Sequence, residues 1–292
     1  MPQPPSAAPD VSKPRPRWPE GKTSAVMFSF DVDAETTWAN GNRNMPNGGN
    51  YIRSLSLGQY GPKRCVDRIL DMLDRYGVRA TFFVPGWTAE HYDGLLEKLC
   101  ARGHEIGQHG YLHERFYDRS QAEQEDIIDR SQEIFLRLTG RRADGFRTPS
   151  GDWSEFTPGL FVKRNFLYSS SMRGDDRPYR TVIDGQPSDF IEIPTRWELD
   201  DYVQTAYNYY PAEPDGQDRI AGYDMVADNF LRELAGYRRF GLCCAFMFHP
   251  QVIGAPGKIF ILEKLLQQLA DSKDAWVATG SEIARWWRES AQ

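Results

Sequence analysis

The feature that most constrains this chain is a regular alternation of short apolar runs with longer, helically spaced ones. Ser24–Asp33 (SAVMFSFDVD), Arg79–Val84 (RATFFV) and the stretch His104-Glu105-Ile106-Gly107-Gln108 read as buried strands. Between them, Pro62–Tyr76 carries Val66, Ile69, Leu70 and Leu73 at helical spacing, with Gly77 as its stop. Thr88–Ala101 carries Leu95, Leu96 and Leu99 in the same way. A capping box, Ser120-x-x-Glu123, opens a helix that runs to Thr139-Gly140. Further strands are expected at Gly145–Arg147, Phe166–Ser171, Phe190–Ile193, Leu242–Phe248 and Trp276–Ala278. Further helices fall near 155–165, over Tyr223–Phe240, over Ile259–Leu269, and after a second capping box at Thr279-x-x-Glu282. Seven or eight such βα units in 292 residues close into a barrel more naturally than they lie in an open sheet.

In a barrel of this kind chemistry sits at the strand C-termini. Asp31/Asp33, His109, Arg147 and His249 each fall at or just after a predicted strand end. The chain has five histidines, and His109 and His113 lie four apart. On a helical turn that spacing puts both rings on one face, Cβ atoms roughly 5–6 Å apart, close enough to grip one metal ion. Asp31 and Asp33, two apart in extended chain, project to the same side and supply the best candidate for a carboxylate ligand. Two imidazoles and a carboxylate leave coordination positions open, as a catalytic site requires. The set suits Zn²⁺ and accepts other first-row divalent ions. The remaining aspartate is then placed to take a proton from a water activated at the ion, His249 to protonate a departing amine, and Arg147 to keep the basic carboxylate ionised. His104, beside Gly103 at a helix end, reads as structural.

Other chemistries are excluded. Pro16 stands where a phosphate-binding loop before Gly21-Lys22-Thr23 needs its first glycine, and Asp31–Thr36 lacks the glycine of a calcium-binding loop. Two carboxylates two apart on one strand cannot flank a glycosidic bond. A net charge of −6 without a basic stripe points away from nucleic acid and from an anionic membrane surface. Residues 1–22, with seven prolines, read as an extended or disordered arm without a signal-peptide core, ahead of a single catalytic domain over 23–292. Cys65, Cys100, Cys243 and Cys244 form no C-x-x-C and read as free thiols, so a cytoplasmic location is expected. Residues 34–59, rich in Asn and Gly, read as a long binding loop or lid.

Taken together, Phe30-Asp31-Val32-Asp33, Gly103-His104-Glu105-Ile106-Gly107-Gln108-His109-x-x-x-His113, Phe146-Arg147-Thr148-Pro149-Ser150-Gly151 and Phe248-His249-Pro250 resemble the motifs of the polysaccharide deacetylases (carbohydrate esterase family 4). The similarity runs in order over about residues 24–285. It implies a distorted (β/α)₇ TIM-like barrel with Asp31 as catalytic base, Asp33, His109 and His113 as metal ligands, Arg147 orienting the base, and His249 as general acid. The Asp-Val-Asp spacing and Ile193–Asp201 resemble the intracellular branch that holds peptidoglycan-deacetylase-like proteins, metal-independent allantoinases and cyclic imide hydrolases. That branch implies a homo-oligomer, often a tetramer. The family's Asp-x-x-Asp-Trp motif is absent, and Asp200 or Asp201 stands in for its acid. The expected function is hydrolysis of a non-peptide carbon–nitrogen bond in an N-acetyl sugar. The alternatives are a small cyclic amide, imide or ureide as substrate, or a non-catalytic glycan- or metabolite-binding protein on the same fold. The aromatic segment Tyr202, Tyr207, Tyr209 and Tyr210 is expected to roof a pocket or line a subunit interface.

Overall fold

In the computed structural model the described residues are 16–206 and 220–290; Tyr207, Tyr209 and Tyr210, and the first fifteen residues of the arm, lie outside them. Among the described residues, nine strands form one curled sheet: β1 (Ser24–Asp31), β2 (Thr81–Val84), β3 (Glu105–Gln108), β4 (Gly145–Phe146), β5 (Tyr168–Ser169), β6 (Tyr179–Ile183), β7 (Gln186–Glu192), β8 (Cys243–Phe248) and β9 (Ala275–Val277). Their order is β6-β7-β5-β4-β3-β2-β1-β8, with β9 against the start of β1, and all pairs are parallel except β6–β7. The ring closes between β8 and the β7 side through an isolated bridge, Asp200 to Met247, and the Thr195 hydroxyl donating to the Ala245 carbonyl at 3.0 Å, rather than through a continuous ladder. The expected distorted barrel is the fold observed.

β1 is buried throughout, and its period of two divides it. Val26, Phe28 and Phe30 face the helical layer, where Phe28 stacks on Phe246 at 5.5 Å and Phe30 on Phe82 at 4.9 Å. Ala25 and Met27 belong to the inner cluster with Phe83, Tyr168 and Ile191. Ser29 and Asp31 continue that inner row, so the strand delivers its last carboxylate into the mouth of the barrel.

Several elements differ from the sequence expectation. Residues 34–59 are not a bare loop: they hold helices Thr36–Gly41 and Ile52–Tyr60, the first anchored by the buried Trp38. The helix expected over Thr88–Ala101 is two, Gly86–His91 and Leu95–Ala101, parted at Gly94 in a left-handed conformation. An unforeseen hairpin joins β6 to β7 through Asp184-Gly185, both at positive φ (51° and 75°), the geometry that an Asp-Gly turn favours. The end of the arm belongs to the fold: Trp18 is buried against Trp276 and Trp287, and its Nε1 donates to the Gly241 carbonyl at 2.9 Å. Both predicted capping boxes are present.

Candidate active site

The mouth of the barrel opens into a cavity of about 530 Å³ lined by Asp31, Asp33, His109, His113, Arg147 and His249, among others. All six residues are buried. His109 follows β3 directly, but the His109–His113 segment is not helical. Gly110 (φ 68°) and His113 (φ 56°) take left-handed conformations. A Cβ at position 110 would stand 2.9 Å from Glu114 Oε2, so the turn needs glycine there. A non-glycine residue in this region is strained by roughly 1–2 kcal/mol. The turn is held by the Gly110 carbonyl, which accepts from Gly86 N and from the Ser131 hydroxyl at 3.0 Å each, and by the His113 carbonyl, which accepts from the Asn40 amide at 2.9 Å.

His109 Nδ1 lies 2.7 Å from the Arg147 carbonyl. A carbonyl only accepts, so Nδ1 carries the proton and the Nε2 lone pair of the neutral ring is available. It stands 3.4 Å from Asp33 Oδ1, and His113 Nε2 stands 3.9 Å from the same oxygen. Asp33 Oδ1 is buried without a hydrogen-bond donor among the described residues. Burial alone would raise the Asp33 pKa, but His113, His109 and His249 outweigh it and hold the carboxyl well below its usual range. Burial lowers His113 to about 4, which keeps it a neutral donor; for His109 the pull of Asp31 and Asp33 overcomes burial and raises it. An orphaned carboxylate oxygen facing two ring nitrogens is a donor set that fits a divalent cation.

Asp31 is fixed differently. Arg147 Nη1 donates to Asp31 Oδ1 and to Ser29 Oγ, Nε to the Ser170 carbonyl, and Nη2 to Ser170 Oγ, each at 2.7 Å. The guanidinium lies 4.2 Å over the Phe83 ring. Ser29 and Ser170 were not foreseen; Ser29 sits two before Asp31 on the inner row, so strand period could have found it. His249 follows β8, with Nδ1 at 2.8 Å from Asp201 Oδ1 and its backbone N–H shared by both Asp201 oxygens at 3.0 and 3.1 Å. Asp201 is thus the acid beside His249, while Asp200 caps its helix by accepting from Tyr202 N at 2.8 Å. Burial opposes charge on His249, yet Asp201, Asp200 and Asp33 raise its pKa to about 10. His249 Nε2 faces Asp33 at 4.0 Å. Asp200, Asp201 and His249 also cluster closely, but the Asp201 oxygens are already committed to His249. His104 is structural: its Nδ1 accepts from Ala80 N at 3.2 Å.

A sequence profile described as polysaccharide deacetylase matches residues 59–162. The peptidoglycan deacetylase-like protein FGM2 of Gibberella zeae is 30% identical over 254 residues, 86% of this chain and 68% of that protein. The chain belongs to the polysaccharide deacetylase family. It is accordingly an enzyme of the hydrolases that act on carbon–nitrogen bonds other than peptide bonds. A peptidoglycan deacetylase of Helicobacter pylori is 26% identical over 293 residues, 90% of this chain and 96% of that one. A solved structure from Mycobacterium smegmatis assigned to the polysaccharide deacetylases superposes with a TM-score of 0.85 at 32% identity, covering 93% of this chain and 92% of that one. The Puue allantoinase structure shares the fold alone, with a TM-score of 0.79 at 21% identity over 96% and 95% of the two chains. Among the described residues, no helix is long and apolar enough to cross a membrane.

Proposed function

We propose that this polysaccharide deacetylase relative is a divalent-metal hydrolase of an amide carbon–nitrogen bond, with the catalytic domain over 23–292. The observation that carries the reading is the buried, donorless Asp33 Oδ1 facing the His109 and His113 ring nitrogens, beside an aspartate that Arg147 holds. Asp33, His109 and His113 would hold the ion, most simply Zn²⁺, and a bound ion there supplies Lewis-acid polarisation of a carbonyl and a lowered pKa for water. Asp31 acts as base. With Oδ1 pinned by Arg147, its Oδ2 is the oxygen left to accept a proton from the attacking water. His249, kept protonated by Asp201, donates from Nε2 to the departing nitrogen. Arg147 orients the base through its contact with Asp31 Oδ1.

The substrate is an N-acetyl sugar or a small cyclic amide, imide or ureide. A cavity of about 530 Å³ and the allantoinase fold likeness support the small-molecule reading, and the peptidoglycan deacetylase relatives support the sugar. Three of the four thiols are buried and all four are unpaired, which suits a reducing cytoplasm. Exposed Ile52, Met225 and Phe260 suit a homo-oligomer. The test is turnover of N-acetyl sugars, hydantoin, succinimide and allantoin by zinc-loaded protein, with Asp31→Asn and His249→Ala alongside. Loss of turnover in both variants at unchanged metal content supports the mechanism. Undiminished turnover in both ends it, and saturable binding with no turnover by the unaltered protein points to a binding module instead.

A further inference from the structure

The cavity carries a cation that the chemistry above does not use. Arg173, in the segment after β5, lines the same cavity as His249 and Arg147. Its guanidinium stacks 3.8 Å over the Trp197 ring, and Nη1 donates to the Ser171 carbonyl at 3.0 Å. Nε is buried without an acceptor, and neither Nε nor Nη2 meets a carboxylate within salt-bridge distance among the described residues. Asp200, Asp152 and Asp31 act on it only through space. The segment beneath it is firmly built. The buried Glu192 accepts from Ser171 N at 2.6 Å and Met172 N at 2.8 Å, Thr195 N donates to the Met172 carbonyl at 3.1 Å, and Arg196 Nη1 reaches the Arg173 carbonyl at 3.4 Å.

A half-buried cation without a counter-charge is costly unless a ligand supplies one. With Nη1 committed to Ser171 and Nε enclosed, Nη2 is the nitrogen left to donate to a carboxylate in the cavity, and stacking on Trp197 fixes the plane of the group. We propose that Arg173 is a specificity-determining residue and that the substrate carries a carboxylate, remote from the scissile amide, which pairs with Nη2 beside Trp197. This deepens the hydrolase reading and rests on it for the position of the scissile bond. It departs from a neutral glycan packed on the exposed face of Trp197, the other use such a ring has.

The test is binding of matched probes that differ only in charge, 4-acetamidobutyrate against 4-acetamidobutanamide and hydantoin-5-acetate against hydantoin-5-acetamide. They are titrated calorimetrically into zinc-loaded wild type, Arg173→Gln and Arg173→Lys. Wild type should favour the acid of at least one pair by about tenfold, the usual worth of a charge-assisted pair. Arg173→Gln should bring that ratio near one, and Arg173→Lys should retain part of it. No preference for either acid in wild type, or the same preference in both variants, overturns the proposal. Binding is read without turnover, so an acid preference that depends on Arg173 in a protein that hydrolyses nothing keeps this subsite and rejects the hydrolase reading alone.

Discussion

His109 Nδ1 donates to the Arg147 carbonyl over 2.7 Å, and that bond couples the two halves of the site. The backbone of Arg147 sets the His109 tautomer, while its side chain pins Asp31 at 2.7 Å. The residue that orders the base therefore also directs a ring nitrogen toward Asp33.

Arg147→Lys keeps the charge and loses the fork that spans Ser29, Asp31 and Ser170. It should lower kcat by about 100-fold with little change in KM, since a base misplaced by about an ångström costs that order of rate. Steady-state kinetics with metal content measured in parallel checks this. A variant with wild-type kcat would remove Arg147 from its orienting role.

The pH profile should depend on Asp201. Asp201 and Asp200 hold His249 above its ordinary pKa against burial, and only its protonated form donates, so activity falls on the alkaline side as the ring loses its proton. Asp201→Asn removes the hydrogen-bonded charge and leaves burial, which favours the neutral ring. The alkaline limb of kcat/KM should move to lower pH by about one unit or more. An unmoved limb would show that another group sets it.

The capping boxes were legible from spacing alone, and their worth is measurable. Ser120 Oγ accepts from Glu123 N at 3.4 Å and Glu123 Oε2 accepts from Ser120 N at 2.8 Å. Ser120→Ala should lower unfolding stability by about 1 kcal/mol without touching activity. Urea denaturation at constant m-value reads it directly, and a change near zero would mean that tertiary packing alone holds the helix end.

What the sequence made legible follows the strength of each local signal. The βα alternation, the helix over Tyr223–Phe240 and the residues at strand ends were readable because burial on both faces and helical spacing leave strong patterns. The His109–His113 turn was read as helical from spacing, yet Gly110 and His113 at positive φ bring the rings together another way. Backbone held in that region answers to tertiary contacts such as Asn40, far from it in sequence. The hairpin at Asp184-Gly185 carried a recognised turn signal that its weakly apolar flanks obscured. The choice between Asp200 and Asp201 could not be read, because adjacent side chains point apart and only the position of His249 separates them. Arg173 carried no sequence mark at all, since its role comes from Trp197 and the cavity.

In the proposed mechanism Asp33, His109 and His113 form one metal site and Asp31 stands outside the ligand set. Elemental analysis of zinc-equilibrated, desalted protein tests this most directly across wild type, Asp31→Asn, Asp33→Ala and His109→Ala. Wild type and Asp31→Asn should each hold about one ion per chain, and the two ligand variants should lose at least 100-fold in affinity. Full metal content in Asp33→Ala and His109→Ala, or loss of the ion in Asp31→Asn alone, would contradict it.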